Sequence, residues 1–150
     1  MTDHGRCDTL LLLRPSLADA GAQVALVGAC DEAERQGWSV TVAVVDLAGD
    51  LVAFRRMDGT SVASTTGALE KARSAAQIRK PTHELQAKID EDSPSYLGIH
   101  WITCLAGGVP IVLDGVVVGA VGASGAQGHQ DVLVAQAGVD ALARQLRMVD

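Results

Sequence analysis

The stretch Gly107–Asp131, GGVPIVLDGVVVGAVGASGAQGHQD, constrains the fold more than any other part of the chain. Two apolar runs, Val109–Leu113 and Val116–Ala123, flank Asp114-Gly115, a pair that readily takes the positive φ angles of a two-residue hairpin turn. The spacing predicts a β-hairpin. Its second strand runs into Gly122, Ser124, Gly125 and Gly128 and gives way at His129-Gln130-Asp131 to a helical pattern. A strand thus delivers a small-residue loop to a helix start, where free backbone N–H groups favour an anion or a polar ligand. With 16 glycines and only 3% aromatic residues, the chain is suited to close backbone packing around small side chains.

The 150 residues suit one domain, read here as 14–150 behind an N-terminal tail, 1–13. A hydrophobic fraction of 48% excludes disorder. The net charge of −6 and the lack of any basic stripe argue against a nucleic-acid partner, since phosphate neutralisation needs clustered Lys and Arg. Cys7, Cys30 and Cys104 form no close pair and read as free thiols of a reducing compartment. Within 1–13 the only apolar run is Leu10–Leu13, preceded by Asp3, Arg6 and Asp8, so neither a signal peptide nor a membrane partner is expected. The cytoplasm is the default location.

Pro15 suits a first helical turn, Ser16 and Asp19 resemble a capping box, and Gly37 closes an apolar three-four pattern, which predicts a helix over Pro15–Gln36. Val40–Val45 reads as a central strand and Asp50–Met57 as its hairpin partner. Asp46 and Asp58 stand at the ends of that partner, either as turn-fixing side chains or as site residues. Ser61–Lys80 reads as a helix with a small-residue face, stopped by Pro81. A charged helix follows over Thr82–Asp90 with Thr82 as N-cap. After a polar loop at Pro94 comes a short strand, Ile102–Leu105, then the hairpin, then an amphipathic helix from Gln130 to about Arg147 capped by Asp131. Three strands added to the first two make a five-stranded antiparallel sheet between helices.

Several residues are candidates for chemistry. Asp131 can orient His129 for proton transfer, or His129 is a loop residue beside a cap. Lys71, with Glu70 and Arg73, either meets a ligand carboxylate or joins a salt bridge. Arg56 and Asp58 carry the same ambiguity. Tyr96 and Trp101 either roof a flat apolar ligand or belong to the core. Ser124 lacks the glycine spacing of a nucleophile elbow, and no dinucleotide or phosphate-loop fingerprint is present. His100 and Cys104 lie four apart, but a strand from Ile102 takes them off a common helical face, and no metal centre is assigned.

The runs Val42–Gly59 and Gly107–Gly125, the Glu70-Lys71-Ala72 helix, and Asp131 with Ala135, Ala137 and Gly138 resemble the GlcG/HbpS-like family, over about residues 15–147. That family includes haem-binding HbpS proteins and the C-terminal domain of PduO-type proteins. The resemblance implies a profilin-like three-layer α/β/α sandwich with a five-stranded antiparallel sheet, and homo-oligomers in rings or shells. Members are linked to haem, corrinoid and iron, so haem is the cofactor it suggests. No histidine or cysteine carries over as an axial ligand. Val132 stands where the family commonly shows Glu, so that carboxylate's role does not carry over either.

The leading expectation is an oligomeric small-molecule or cofactor-binding protein, with haem or another flat anionic ligand near Arg56, Asp58, Lys71, Trp101, Gly107, Gly108, Ser124 and Gly125. The alternative is a cofactor-independent enzyme doing acid/base chemistry on a small carbonyl compound. It would use His129 or Asp131 as base, Lys71 or Arg56 as electrophilic support, and loop N–H groups for an oxyanion.

Overall fold

The computed structural model describes residues 10–148. Its elements are α1 (Asp19–Gln36), β1 (Thr41–Asp46), β2 (Leu51–Arg56), α2 (Ala63–Ile78), α3 (Thr82–Asp90), a 3-10 turn (Pro94–Gly98), β3 (Gly108–Leu113), β4 (Val116–Ser124) and α4 (Gly128–Arg147). The sheet is antiparallel throughout, in the order β2-β1-β4-β3. It has four strands and is open. The expected five-stranded profilin-like sandwich is therefore corrected.

The missing strand is Ile102–Leu105, and its backbone shows why. The Thr103 N–H donates to Ser74 Oγ at 2.9 Å and the Ala106 N–H to Gln86 Oε1 at 2.8 Å. Side chains of α2 and α3 thus hold this segment, and it follows their shape instead of a ladder. Both hairpins form as the turn residues predict, with Asp114 at φ 49° and Gly115 at φ 78° in the second.

Helices lie on both faces of the sheet. On one, Val42, Val44, Val109, Ile111 and Val121 pack against Ala25, Ala29, Val134 and Leu142 of α1 and α4. On the other, Ala43, Val45 and Ala120 meet Ala68, Ala72, Ala75 and Ala76 of α2. Each fully buried valine contributes roughly 1.5–3 kcal/mol, whereas the alanines supply little area and act by letting α2 come close. A Cβ at Gly122 would stand 2.1 Å from the Ala68 carbonyl oxygen, so backbone rests on backbone there.

Two helix starts differ from expectation. α1 begins at Asp19, because Leu17 N–H donates to Val118 O at 2.9 Å and Ser16 Oγ accepts the Leu47 N–H at 3.2 Å. Those bonds hold residues 16 and 17 on the sheet. α4 begins at Gly128 after Gln127, whose N–H donates to Gln130 Oε1 at 3.0 Å. Asp131 thus lies a turn inside the helix and is not its N-cap.

Candidate functional site

Lys71 projects from α2 toward the loop between β4 and α4. Its Nζ donates to Asp131 Oδ2 at 2.8 Å and to the Ala123 carbonyl at 3.1 Å. The other carboxylate oxygen, Oδ1, accepts the Ala126 N–H at 3.1 Å. Lys71 is 4% and Asp131 2% exposed. Gly107 and Gly108 make the contact possible: a Cβ on Gly107 would lie 2.6 Å from Ala123 O and 3.0 Å from the Lys71 stem, and one on Gly108 would lie 2.1 Å from Lys71 O. Thr82, read as a cap, instead accepts the Gly108 N–H at 2.9 Å. The space between α2 and Gly107–Asp131 is occupied by this packing and by the ion pair. A buried pair of this kind is costly to desolvate and costlier to break.

Asp131 is therefore not aimed at His129, which is exposed on the first turn of α4.

A second group of the expected residues gathers where β2, β1 and β4 end. Thr41 pairs with Arg56 on one side and Ser124 on the other, so these three side chains share the face that α2 covers. Ser64 Oγ donates to Ser61 O at 2.6 Å and accepts from Thr60 Oγ1 at 3.2 Å. With its one proton so used, its 2.6 Å contact with Thr41 Oγ1 has Thr41 as donor. Gly67 makes room for Ser124, and Gly125, at φ 132°, passes close to Thr60 Oγ1. α2 starts after Val62 with no side-chain cap and no acidic residue in its first turn. Its positive end is thus uncompensated within the helix. Asp58 is exposed on the loop leading to it.

α2 packs over β1, β4 and β3, and the α2-side face of edge strand β2 stays open. Phe54 and Arg56, two residues apart, share that face, with Phe54 38% exposed; Val62, which precedes α2, is 76% exposed. Sequence reasoning did not single out Phe54 or Val62. The signal was there: an aromatic alternating with Arg56 on a strand, in a chain with one phenylalanine.

Trp101 and His100 lie apart from both groups, exposed beyond the 3-10 turn. A cleft of about 370 Å³ beside them is lined by Leu97, Cys104 and Leu105. Burial raises the Cys104 thiol pKa. Among the described residues no three His, Cys, Asp or Glu side chains come together to hold a metal.

An open four-stranded antiparallel sheet flanked by helices, with a glycine-lined buried Lys-Asp pair, defines an α/β domain class in which one helix rides directly on the sheet backbone. The chain belongs to the HbpS-like family, described as haem-degrading-protein HbpS-like, whose match covers residues 17–140. It is 37% identical over 108 residues to protein GlcG of Escherichia coli K12, covering 72% of this chain and 81% of that one. A double mutant of Streptomyces reticuli HbpS superposes with a TM-score of 0.82 at 34% identity, covering 88% of this chain and 90% of that one. PduOC, crystallised as a haem complex, superposes with a TM-score of 0.75 at 26% identity, covering 84% and 94%.

Proposed function

We propose that this chain is a homo-oligomeric small-molecule-binding protein of the cytoplasm, its guest haem or another flat, anionic ligand. The observation that carries the reading is the open face of β2, where apolar Phe54 and cationic Arg56 stand side by side next to the uncapped start of α2. A planar ring fits against Phe54, and a carboxylate at its edge meets Arg56 near the positive end of α2. Ser124, Gly125 and Asp58 border this place. Lys71, Asp131, Gly107 and Gly108 support it from within by fixing α2 on the sheet. The relation to PduOC, which was crystallised with haem, supports the same ligand class. Free Cys30 and Cys104 support a reducing compartment. Haem would bring its iron chemistry when bound; this chain's part is to hold the carboxylate edge and cover one ring face.

The test is titration of the purified protein with haem. A shifted Soret band is expected, with affinity at least about fivefold weaker in Arg56→Glu and also reduced in Phe54→Ala. No spectral change, or equal affinity in all three proteins, would overturn the reading.

The acid/base alternative gains no support from the geometry. Both oxygens of Asp131 are engaged, by Lys71 and by the Ala126 N–H.

A further inference from the structure

We propose that the leucine arm Leu10–Leu13 of one copy docks in the groove between α1 and α4 of a second copy. This rests on the homo-oligomeric part of the reading above and not on the ligand. The four leucines stand 62–91% exposed in a row, an apolar segment that water disfavours. The groove is open, about 940 Å³, and half-exposed Val27 and Leu133 lie along it.

Length and charge agree. From Leu10 to Arg14 an extended chain spans about 14 Å, which lies within the roughly 18 Å that α1 runs along the groove from Gln23 to Arg35. Gly21 faces Leu142, and Gly28 faces Ala141 and Ala137, so α1 and α4 run antiparallel here. Arg144 therefore stands at the Gln23 end of the groove and Asp31 toward the other, and among the described residues neither has an ion-pair partner. An arm whose leucines are followed by the cationic Arg14 matches that polarity in one direction, with Arg14 against Asp31.

The groove of the same chain is not what the arm fills. Ser16 and Leu17 are held to the β1–β2 turn and to β4, and the leucines beyond them stay exposed while the groove stands open. A neighbouring copy is the occupant that covers both surfaces at once.

The experiment uses the full chain. Light scattering is expected to show an assembly that Leu11→Asp/Leu12→Asp dissociates, without loss of the far-UV circular dichroism, and that Val27→Glu/Leu133→Glu dissociates equally. In a Cys7→Ser background, mixing a Leu12→Cys chain with a Leu133→Cys chain is expected to give a disulfide-linked mixed dimer, with the joined peptides read by mass spectrometry. A wild-type monomer at all concentrations would overturn both this docking and the homo-oligomeric reading. An assembly indifferent to the leucine substitutions would overturn the docking alone. So would the absence of any disulfide between the Leu12→Cys and Leu133→Cys chains in a mixture that still assembles.

Discussion

Lys71 and Asp131, 60 residues apart in the chain, meet at 2.8 Å with both side chains almost wholly buried. Together with the Lys71 bond to Ala123 O and the Ala126 N–H bond to Asp131, this pair joins α2, the end of β4 and the first turns of α4. Lys71→Met leaves an unpaired buried carboxylate and is expected to cost roughly 3–5 kcal/mol in urea unfolding. Lys71→Met combined with Asp131→Leu is expected to cost clearly less than the sum of the single changes. Additive losses would show that the two groups do not depend on each other.

Gly122 faces the backbone of α2, so an added methyl has nothing flexible to displace. Gly122→Ala is expected to destabilise by about 3 kcal/mol or more. Gly98, with open space around its Cβ position and no positive φ, serves as the contrast. Gly98→Ala should change stability by no more than about 0.5 kcal/mol. Thermal melts of the two variants check the pair.

Burial holds the Cys30 thiol above its ordinary value of 9.0, and this outweighs the lowering by nearby Arg55. On raising the pH, the unfolded chain loses this proton first. The contribution of Cys30 to stability is therefore fully present below about pH 9 and disappears as pH rises through the native pKa. Unfolding free energies measured from pH 7 to 10.5 should fall at the alkaline end, and less steeply in Cys30→Ala. The same thiol should resist alkylation at pH 8 in the folded protein.

Asp46 closes the first hairpin by accepting the Ala48 and Asp50 N–H groups on one oxygen, at 2.9 and 3.0 Å. Asp46→Ala is expected to cost about 1 kcal/mol, whereas Asp46→Asn, which keeps the acceptor, should cost less. Chemical denaturation distinguishes them. Equal losses would mean that the charge, not the turn, matters.

What the sequence made legible was local. Asp114-Gly115 carries its own turn, Pro81 stops one helix and starts the next, and α3 spans the expected Thr82–Asp90. What it hid was set by partners far along the chain. Ile102–Leu105 has the composition of a strand, yet Ser74 of α2 takes its Thr103 N–H and Gln86 of α3 takes that of Ala106 just past it. Asp131 has the chemistry of a cap, yet Lys71 claims it. Ser16 and Asp19 resemble a capping box, yet Ser16 serves the β1–β2 turn. Of the candidate site, Lys71 and Asp131 are legible only as separate residues of interest, and their direct meeting lies outside any spacing rule. Phe54 was legible only as a strand residue, since its exposure follows from α2 stopping short of the edge strand.

The resting of α2 on bare main chain at Gly108 and Gly122 has a consequence for how such a protein diversifies. The α2 side of the sheet, made of carbonyls against methyls, offers nothing to enlarge or hollow out, so change on that side cannot proceed by carving the middle. It must work on the margins: the outermost strand and the helix tips, where side chains can be exchanged without lifting the helix from its seat.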